Sequence, residues 1–141
     1  MTAVDIVPEA ISLAEENAEL NGVKDKIAFI KSDWFNRLDG EYDLIVSNPP
    51  YVPSQDLERL AREVREHEPH RALDGGADGL REITAIVTGA CDHLRSGGHL
   101  LLEIADGQGN DVEGMMRGFG LDVRIEPDLA GKERFAVARW P

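Results

Sequence analysis

The nine residues Asp43-Leu44-Ile45-Val46-Ser47-Asn48-Pro49-Pro50-Tyr51 decide how the rest of the chain is read. DLIVS, Asp43 to Ser47, is an apolar run rich in β-branched side chains, which marks a strand. Its unbroken hydrophobicity is the pattern of a parallel strand buried on both faces. Regular structure stops at Asn48, because three prolines fall within the five positions Pro49 to Pro53. Proline fixes φ and cannot donate to a ladder. An apolar strand that ends in a stiff polar loop is the unit of an open α/β sheet, whose ligands bind beyond the carboxyl ends of the strands.

The same alternation continues outward from this stretch. On its N-terminal side, Ala3 to Ile6 reads as a strand, and Pro8 opens a helix that runs to about Leu20. Ile11, Ala14 and Ala18 form its apolar stripe, and Asn21-Gly22 is its stop signal. Ile27 to Lys31 is a further strand. On the C-terminal side, Leu57, Leu60, Ala61 and Val64 have the spacing of one short amphipathic helix, and Glu68 to Gly79 reads as loop. Leu80, Ile83, Thr84, Val87, Cys91 and Leu94 mark the next helix, ended by Ser96-Gly97-Gly98. His99 to Ile104 is a strand. Val112, Met115, Met116 and Phe119 line another helix as core residues, closed by Gly120. Leu121 to Ile125 and Phe135 to Arg139 are joined by a short loop without a helix, so they are expected to pair as an antiparallel hairpin. Strands alternating with helices give the α/β class with a parallel sheet. No internal repeat, low-complexity tract or linker interrupts the pattern.

The chain has 141 residues and a net charge of −12, with 42% hydrophobic and 30% charged residues. That length is enough for one hydrophobic core. The acidic balance argues against non-specific nucleic-acid binding, which needs a basic surface. No run of about 18 apolar residues is present to span a membrane. Met1 to Ala10 lacks the basic region and apolar core of a signal peptide. The lone Cys91 cannot make a disulfide framework and fits a reducing, cytoplasmic setting. Cys91 lies on its helix's apolar stripe and reads as a small core residue.

Four polar residues, Asp5, Asp33, Asn48 and Glu103, leave apolar runs at their C-terminal ends. Asp5 suits the ribose diol of a nucleotide; a solvated strand end or a cap for the helix at Pro8 is the competing role. Asp33 with Trp34 offers a carboxylate beside a ring for a purine, against a role for Trp34 or Phe35 as a core anchor. Asn48-Pro49-Pro50-Tyr51 is more specific. The Asn48 side-chain oxygen and the Pro49 carbonyl are two acceptors on a rigid loop, and Tyr51 adds a flat face. Together they suit a planar NH2 group. Hydrogen bonds to both of its N–H groups localise the nitrogen lone pair as charge develops, without a strong base. Glu103 is expected chiefly to shape the pocket. His67 and His70, with Glu66 and Glu68, are too loosely spaced for a metal site and read as solvent-facing.

These motifs resemble the catalytic domain of the release-factor N5-glutamine methyltransferases, which use S-adenosylmethionine. Val46 to Tyr51 (VSNPPY) resembles that family's substrate-amide motif, and Ser32 to Phe35 (SDWF) its adenine-side segment. Asp5 with Pro8-Glu9-Ala10 is similar to the ribose-binding strand end and the helix after it. Glu68-Pro69, Ala72-Leu73 and Gly75 to Leu80 (GGADGL) add to the likeness, as do Leu100 to Ile104 with Gln108, and Asp128 to Arg134. NPPY alone is shared with methyltransferases of adenine and guanine amino groups. The block around GGADGL favours glutamine.

The resemblance implies methyl transfer to the glutamine amide in the GGQ loop of peptide-chain release factors. Asn48 and Pro49 would hold the amide, with Pro50 and Tyr51 packing on it. Asp5, Asp33, Trp34 and Asn48 would bind S-adenosylmethionine. The implied fold is the Rossmann-like S-adenosylmethionine-dependent methyltransferase fold, closing with an antiparallel hairpin. The family places a central strand and a glycine-rich (D/E)-x-G-x-G loop just before the position of Thr2, and a helical substrate-recognition domain before that. Residues 1–141 contain neither, so they are expected to form a single, truncated catalytic domain that binds cofactor weakly. The strands at Ala3 and Asp43 should then flank a gap or pair directly, and each unpaired buried backbone group costs ~1–3 kcal/mol. Ala105 stands where the family usually has glycine. Two other functions are weighed beside this one: an adenine or guanine amino-group methyltransferase, and a non-catalytic remnant.

Overall fold

Each half of the chain contains one parallel strand pair, and the second half adds two antiparallel ones. The computed structural model describes residues 1–141, in two units, Met1–Gly40 and Glu41–Pro141.

In the first unit, β1 (Thr2–Asp5) leads into α1 (Pro8–Leu20), a 3₁₀ turn at Lys24–Lys26, and β2 (Ala28–Lys31). The two strands pair in parallel from Thr2↔Ala28 to Asp5↔Lys31. Pro8 stands in the first turn of α1, where its missing N–H is no loss. The helix ends as expected at Asn21-Gly22: the Asn21 N–H donates to the Asn17 carbonyl and the Gly22 N–H to that of Glu19. Gly22 takes φ +66°, a left-handed conformation that a side chain would strain.

In the second unit, β3 (Tyr42–Ser47) is followed by a 3₁₀ segment Ser54–Arg59, α2 (Arg62–His67), α3 (His70–Leu73) and α4 (Arg81–His93). Then come β4 (Leu94–Glu103), α5 (Gly109–Gly118), β5 (Asp122–Pro127) and β6 (Glu133–Arg139). The strand order is β3-β4-β6-β5. β3 and β4 are parallel, with Ile45↔Leu100 and Ser47↔Leu102. β5 and β6 form the antiparallel hairpin read from the sequence, and β6 also pairs antiparallel with β4. The core is one-sided. Leu100, Leu102, Ala136, Ala138 and Val123 are buried, and so are Ile83, Ile86, Val87 and Ala90 of α4 and Val112 and Met116 of α5.

The structure corrects several expectations. The strand at Asp43 is not buried on both faces: Leu44 is 54% and Val46 66% exposed. β3 is an edge strand of its sheet, and α4 and α5 supply the core on the opposite face. The expectation that the strands at Ala3 and Asp43 flank a gap or pair directly is not among those corrected: the first strand belongs to the two-stranded sheet of the first unit and the second to the four-stranded sheet of the second. The single helix expected around Leu57 to Val64 is broken, because Leu60 is extended at ψ 154° and ends the 3₁₀ segment before α2 begins. The Glu68–Gly79 segment contains the short helix α3 rather than loop alone. The strand expected from His99 starts earlier, at Leu94, so Ser96-Gly97-Gly98 lies inside an irregular strand. Of the expected core residues of α5, Met116 is fully buried but Phe119, at the helix end, is 40% exposed.

Candidate functional site

In the second unit, β3 delivers Asn48-Pro49-Pro50-Tyr51 at its carboxyl end. Pro49 is fully buried and Tyr51 half-buried, while Asn48 is exposed. The loop is thus anchored by its apolar residues and presents its polar one. Asn48 lines a cavity of about 210 Å³ with Val46, Ser47, Leu101, Leu102, Glu103 and Phe135. This cavity lies at the carboxyl ends of two parallel strands, where an α/β sheet places its ligands.

The GGADG segment holds the loop in place. Val52 and Asp74 form a parallel bridge, with the Val52 N–H donating to the Leu73 carbonyl at 3.0 Å and the Gly75 N–H to the Val52 carbonyl at 2.9 Å. The Ser54 N–H donates to the Gly76 carbonyl at 2.8 Å. Asp74 ties the corner: its Oδ1 accepts from the Ser54 hydroxyl at 2.6 Å and from the Gly76 N–H at 2.9 Å. The Ser54 bond, then the Gly76 bond and the nearby Arg81 charge, hold the Asp74 carboxyl below its ordinary pKa. Two glycines allow the backbones to come this close. A Cβ on Gly75 would stand 2.8 Å from the Tyr51 Cα, and one on Gly79, at φ +78°, would overlap the Tyr51 carbonyl oxygen.

Tyr51 is held at both ends. Its hydroxyl donates to Glu103 Oε1 at 3.0 Å. Its carbonyl accepts from Gln108 Nε2 at 3.3 Å, and the same nitrogen reaches the Gly79 carbonyl at 3.3 Å. Gln108 Oε1 accepts the Ala105 N–H at 2.9 Å, so one side-chain amide joins three loops. Burial, then the Glu103 carboxylate, raises the Tyr51 phenol above its ordinary pKa, against the opposing charge of Arg134. The phenol therefore keeps its proton at neutral pH. The Arg134 guanidinium is itself bound to the Ile104 carbonyl at 3.3 Å and to Asp128 at 3.4 Å.

In the first unit, Asp5 and Asp33 come to the same end of two neighbouring parallel strands. The Ser32 N–H donates to the Asp5 carbonyl at 3.0 Å, and Asp33 follows directly. The Asp5 Oδ1 accepts the Val7 N–H at 2.8 Å, a turn that leads into α1 without capping its first N–H groups. Asp5 and Asp33 are exposed. Trp34 is half-buried and is the one non-glycine residue with positive φ, at +45°. Such backbone strain persists only where neighbouring contacts impose it. Here the buried Ser32 Oγ accepts the Arg37 N–H at 3.0 Å, and the Asn36 N–H donates to the Asp33 carbonyl, closing the turn around Trp34.

Cys91 is half-buried, and its thiol donates to the Val87 carbonyl at 3.2 Å; burial raises its pKa, which suits packing rather than nucleophilic work. His67 and His70 are exposed at the end of α2 and the start of α3. No group of three or more His, Cys, Asp or Glu residues is placed to hold a metal ion. No helix is long and apolar enough to cross a membrane. Sequence reasoning counted Glu103 among the strand-end candidates, expected it chiefly to shape the pocket, and assigned Gln108 no contact. The glycines of GGADG were the available signal for a backbone approach.

Comparison with known proteins gives the following. Residues 1–77 match the family model described as the methyltransferase small domain. The chain is 46% identical over 140 residues to the release factor glutamine methyltransferase of Cereibacter sphaeroides, covering 99% of this chain and 50% of that protein. It is 46% identical over 141 residues to the release factor glutamine methyltransferase of Geobacter sulfurreducens, covering 99% and 49%. The chain thus spans about half the length of the curated relatives it matches. Among solved structures it resembles a methyltransferase from Pyrococcus furiosus with a TM-score of 0.70, at 21% identity over 98% of this chain and 60% of that one. It also resembles a ribosomal protein L11 methylase from Lactobacillus delbrueckii subsp. bulgaricus with a TM-score of 0.67, at 23% identity over 99% and 57%. These two likenesses show the Rossmann-like methyltransferase fold.

Proposed function

The chain belongs to the methyltransferase small domain family, and from that premise we propose that it carries out methyl transfer from S-adenosylmethionine to a glutamine side-chain amide. The substrate in this reading is the glutamine of the GGQ motif in peptide-chain release factors, and the setting is cytoplasmic. The observation that carries it is the rigid Asn48-Pro49-Pro50-Tyr51 loop at the open end of β3, locked by GGADG and Gln108. The curated relatives named above support the choice of amide over nucleobase.

Each residue of the loop has a part in this reading. Asn48 and the Pro49 carbonyl hold the amide NH2, drawing its N–H bonds away so that the nitrogen lone pair is localised. Pro50 and Tyr51 give the amide a flat wall. In the first unit, Asp5 holds ribose hydroxyls through its second carboxylate oxygen, and Asp33 and Trp34 hold adenine. The donor set fits that half of the cofactor: two exposed carboxylates at parallel strand ends, beside an aromatic ring fixed in a strained turn. When bound, S-adenosylmethionine supplies the methyl group on a sulfonium sulfur.

A competition of substrates tests the proposal. The chain is incubated with isotope-labelled S-adenosylmethionine, a GGQ peptide and an adenine-containing oligonucleotide, and the products are weighed by mass spectrometry. Label on the glutamine amide is the expected result. Label on the oligonucleotide alone would replace the glutamine reading with a nucleic-acid one, against which the net charge of −12 counts. Label on neither would leave a non-catalytic binding module.

A further inference from the structure

Gln108 uses both N–H groups of its side-chain amide inside the chain. Nε2 donates to the carbonyls of Tyr51 and Gly79, each at 3.3 Å, and Oε1 accepts the Ala105 N–H at 2.9 Å. These partners fix which way the amide faces, since a carbonyl can only accept and a backbone N–H can only donate. No side-chain N–H is left to reach a substrate. The base of the residue is as fixed as its tip. Its own N–H donates to the Ala105 carbonyl at 3.1 Å, and its carbonyl accepts the Val112 N–H at 3.0 Å, the first hydrogen bond of α5. Val112 and Met116 of that helix are fully buried. Gln108 therefore ties the packed core to the loop that carries Asn48. Glu103, at the end of β4, holds the other end of Tyr51 through its hydroxyl. One short segment thus grips Tyr51 at ring and carbonyl. The fit is close: a Cβ on Gly79 would stand 2.8 Å from Gln108 Nε2.

We propose that Gln108 is a positioning residue, which sets the Asn48-Pro49-Pro50-Tyr51 loop through the Tyr51 carbonyl and does not itself touch the substrate. The proposal rests on the glutamine function proposed above and adds to it a residue 57 positions from Tyr51. The chemistry asks for an uncharged group with two donors on one atom and an acceptor beside it. Without the NH2 between them, the Tyr51 and Gly79 carbonyls would lose their shared donor in a half-buried place, and the loop would shift to find another. Glutamate at position 108 matches glutamine in length and shape, but it turns a charged acceptor towards both carbonyls. Such neighbours favour the neutral acid, so the new carboxyl should take up its proton above the ordinary glutamate value of about 4.3. Once protonated, it regains one donor.

The test follows, by calorimetry, the affinity of the full chain for a capped Gly-Gly-Gln peptide, which has no titrating group. Wild type and Gln108→Glu are compared from about pH 7.5 down to about pH 5, above the ordinary carboxylate range. The neighbouring ionisable groups Glu103, Asp106, Glu133 and Arg134 are common to both proteins, so the wild-type profile carries their share. At the higher pH Gln108→Glu should bind roughly tenfold more weakly than wild type, and it should recover much of that loss on acidification. A residue that served stability alone would leave the affinity of the folded variant at the wild-type value, and that result overturns the proposal. A loss that acid does not restore overturns it too, because the missing donors are then not the cause. If Gln108→Glu does not fold, Gln108→Met, similar in length and uncharged, replaces it; it should bind more weakly at every pH, and wild-type affinity there is the overturning result. Nuclear magnetic resonance of the chain without peptide separates the two readings. The Val52 and Leu80 amide resonances, which follow the two carbonyls, should move in either variant while that of Met116 in α5 stays. Unmoved resonances overturn the positioning role alone, whereas a wild-type chain that binds no peptide overturns the glutamine reading and the proposal with it.

Discussion

The two units of this chain use the same strand–helix–strand grammar and bury very different amounts. Met1–Gly40 buries only Ala18 and Ser32, and its α1 leaves Leu13 58% and Leu20 85% exposed. Glu41–Pro141 buries residues from α4, α5 and three of the four strands of one sheet, with Ile83, Val87, Leu100 and Val112 at 0% exposure. Two four-residue strands and one helix cannot shield a side chain from every direction, and two-stranded sheets are marginal alone. Four strands under two helices can. The residues assigned to the acceptor amide, Asn48 to Tyr51, belong to the well-packed unit; those assigned to the nucleoside, Asp5, Asp33 and Trp34, belong to the thin one. A site that must localise a lone pair needs fixed acceptors.

Two pairs of substitutions and one change of pH sharpen this contrast. The largest effect belongs to the core. Ile86→Ala should destabilise the chain by about 2–5 kcal/mol, as large-to-small core changes do, while Leu13→Ala in α1 should stay within about 0.5 kcal/mol, as exposed changes do. Urea denaturation of the two variants checks this, and equal costs would break the comparison. Next come two glycines with positive φ. Gly22 at +66° has open space around it, so Gly22→Ala meets only left-handed strain, about 1–2 kcal/mol. Gly79→Ala adds overlap with the Tyr51 carbonyl, so it should cost more and also shift the Tyr51 amide resonance. The smallest effect is acid loosening of the GGADG corner. The Asp74 pKa in the folded chain is depressed below 3.8, so its stabilisation is present above that value and is lost as pH falls through the lower, folded pKa. Hydrogen exchange at Gly76 should accelerate only in that acid window; exchange that changes at neutral pH instead would contradict the role given to Asp74.

Much of this was legible in the sequence because it is local. The helix start at Pro8, the stop at Asn21-Gly22, the parallel strands and the final hairpin all follow from runs and punctuation a few residues long. The Asn48-Pro49-Pro50-Tyr51 loop was legible for the same reason. What escaped depends on neighbours distant in the chain. DLIVS has the composition of a strand buried on both faces, yet its position at the sheet edge leaves Val46 exposed. The break at Leu60 sets the 3₁₀ segment apart from α2, although the apolar spacing on either side is continuous. The Tyr51–Glu103 bond spans 52 residues and the Gln108–Tyr51 bond spans 57, and no periodicity encodes either. Trp34 at φ +45° was unreadable, since a tryptophan gives no sign of left-handed backbone.

The central claim is that Asn48 and its locked loop receive a glutamine amide. It is tested most directly by nuclear magnetic resonance of a GGQ peptide labelled with ¹⁵N at the glutamine side chain. Titrated with the wild-type chain, the two NH2 proton resonances should shift and saturate together, and with Asn48→Ala the shift should vanish while the chain stays folded. Identical titrations by the two proteins would show that Asn48 does not hold the amide, and would contradict the account at its root.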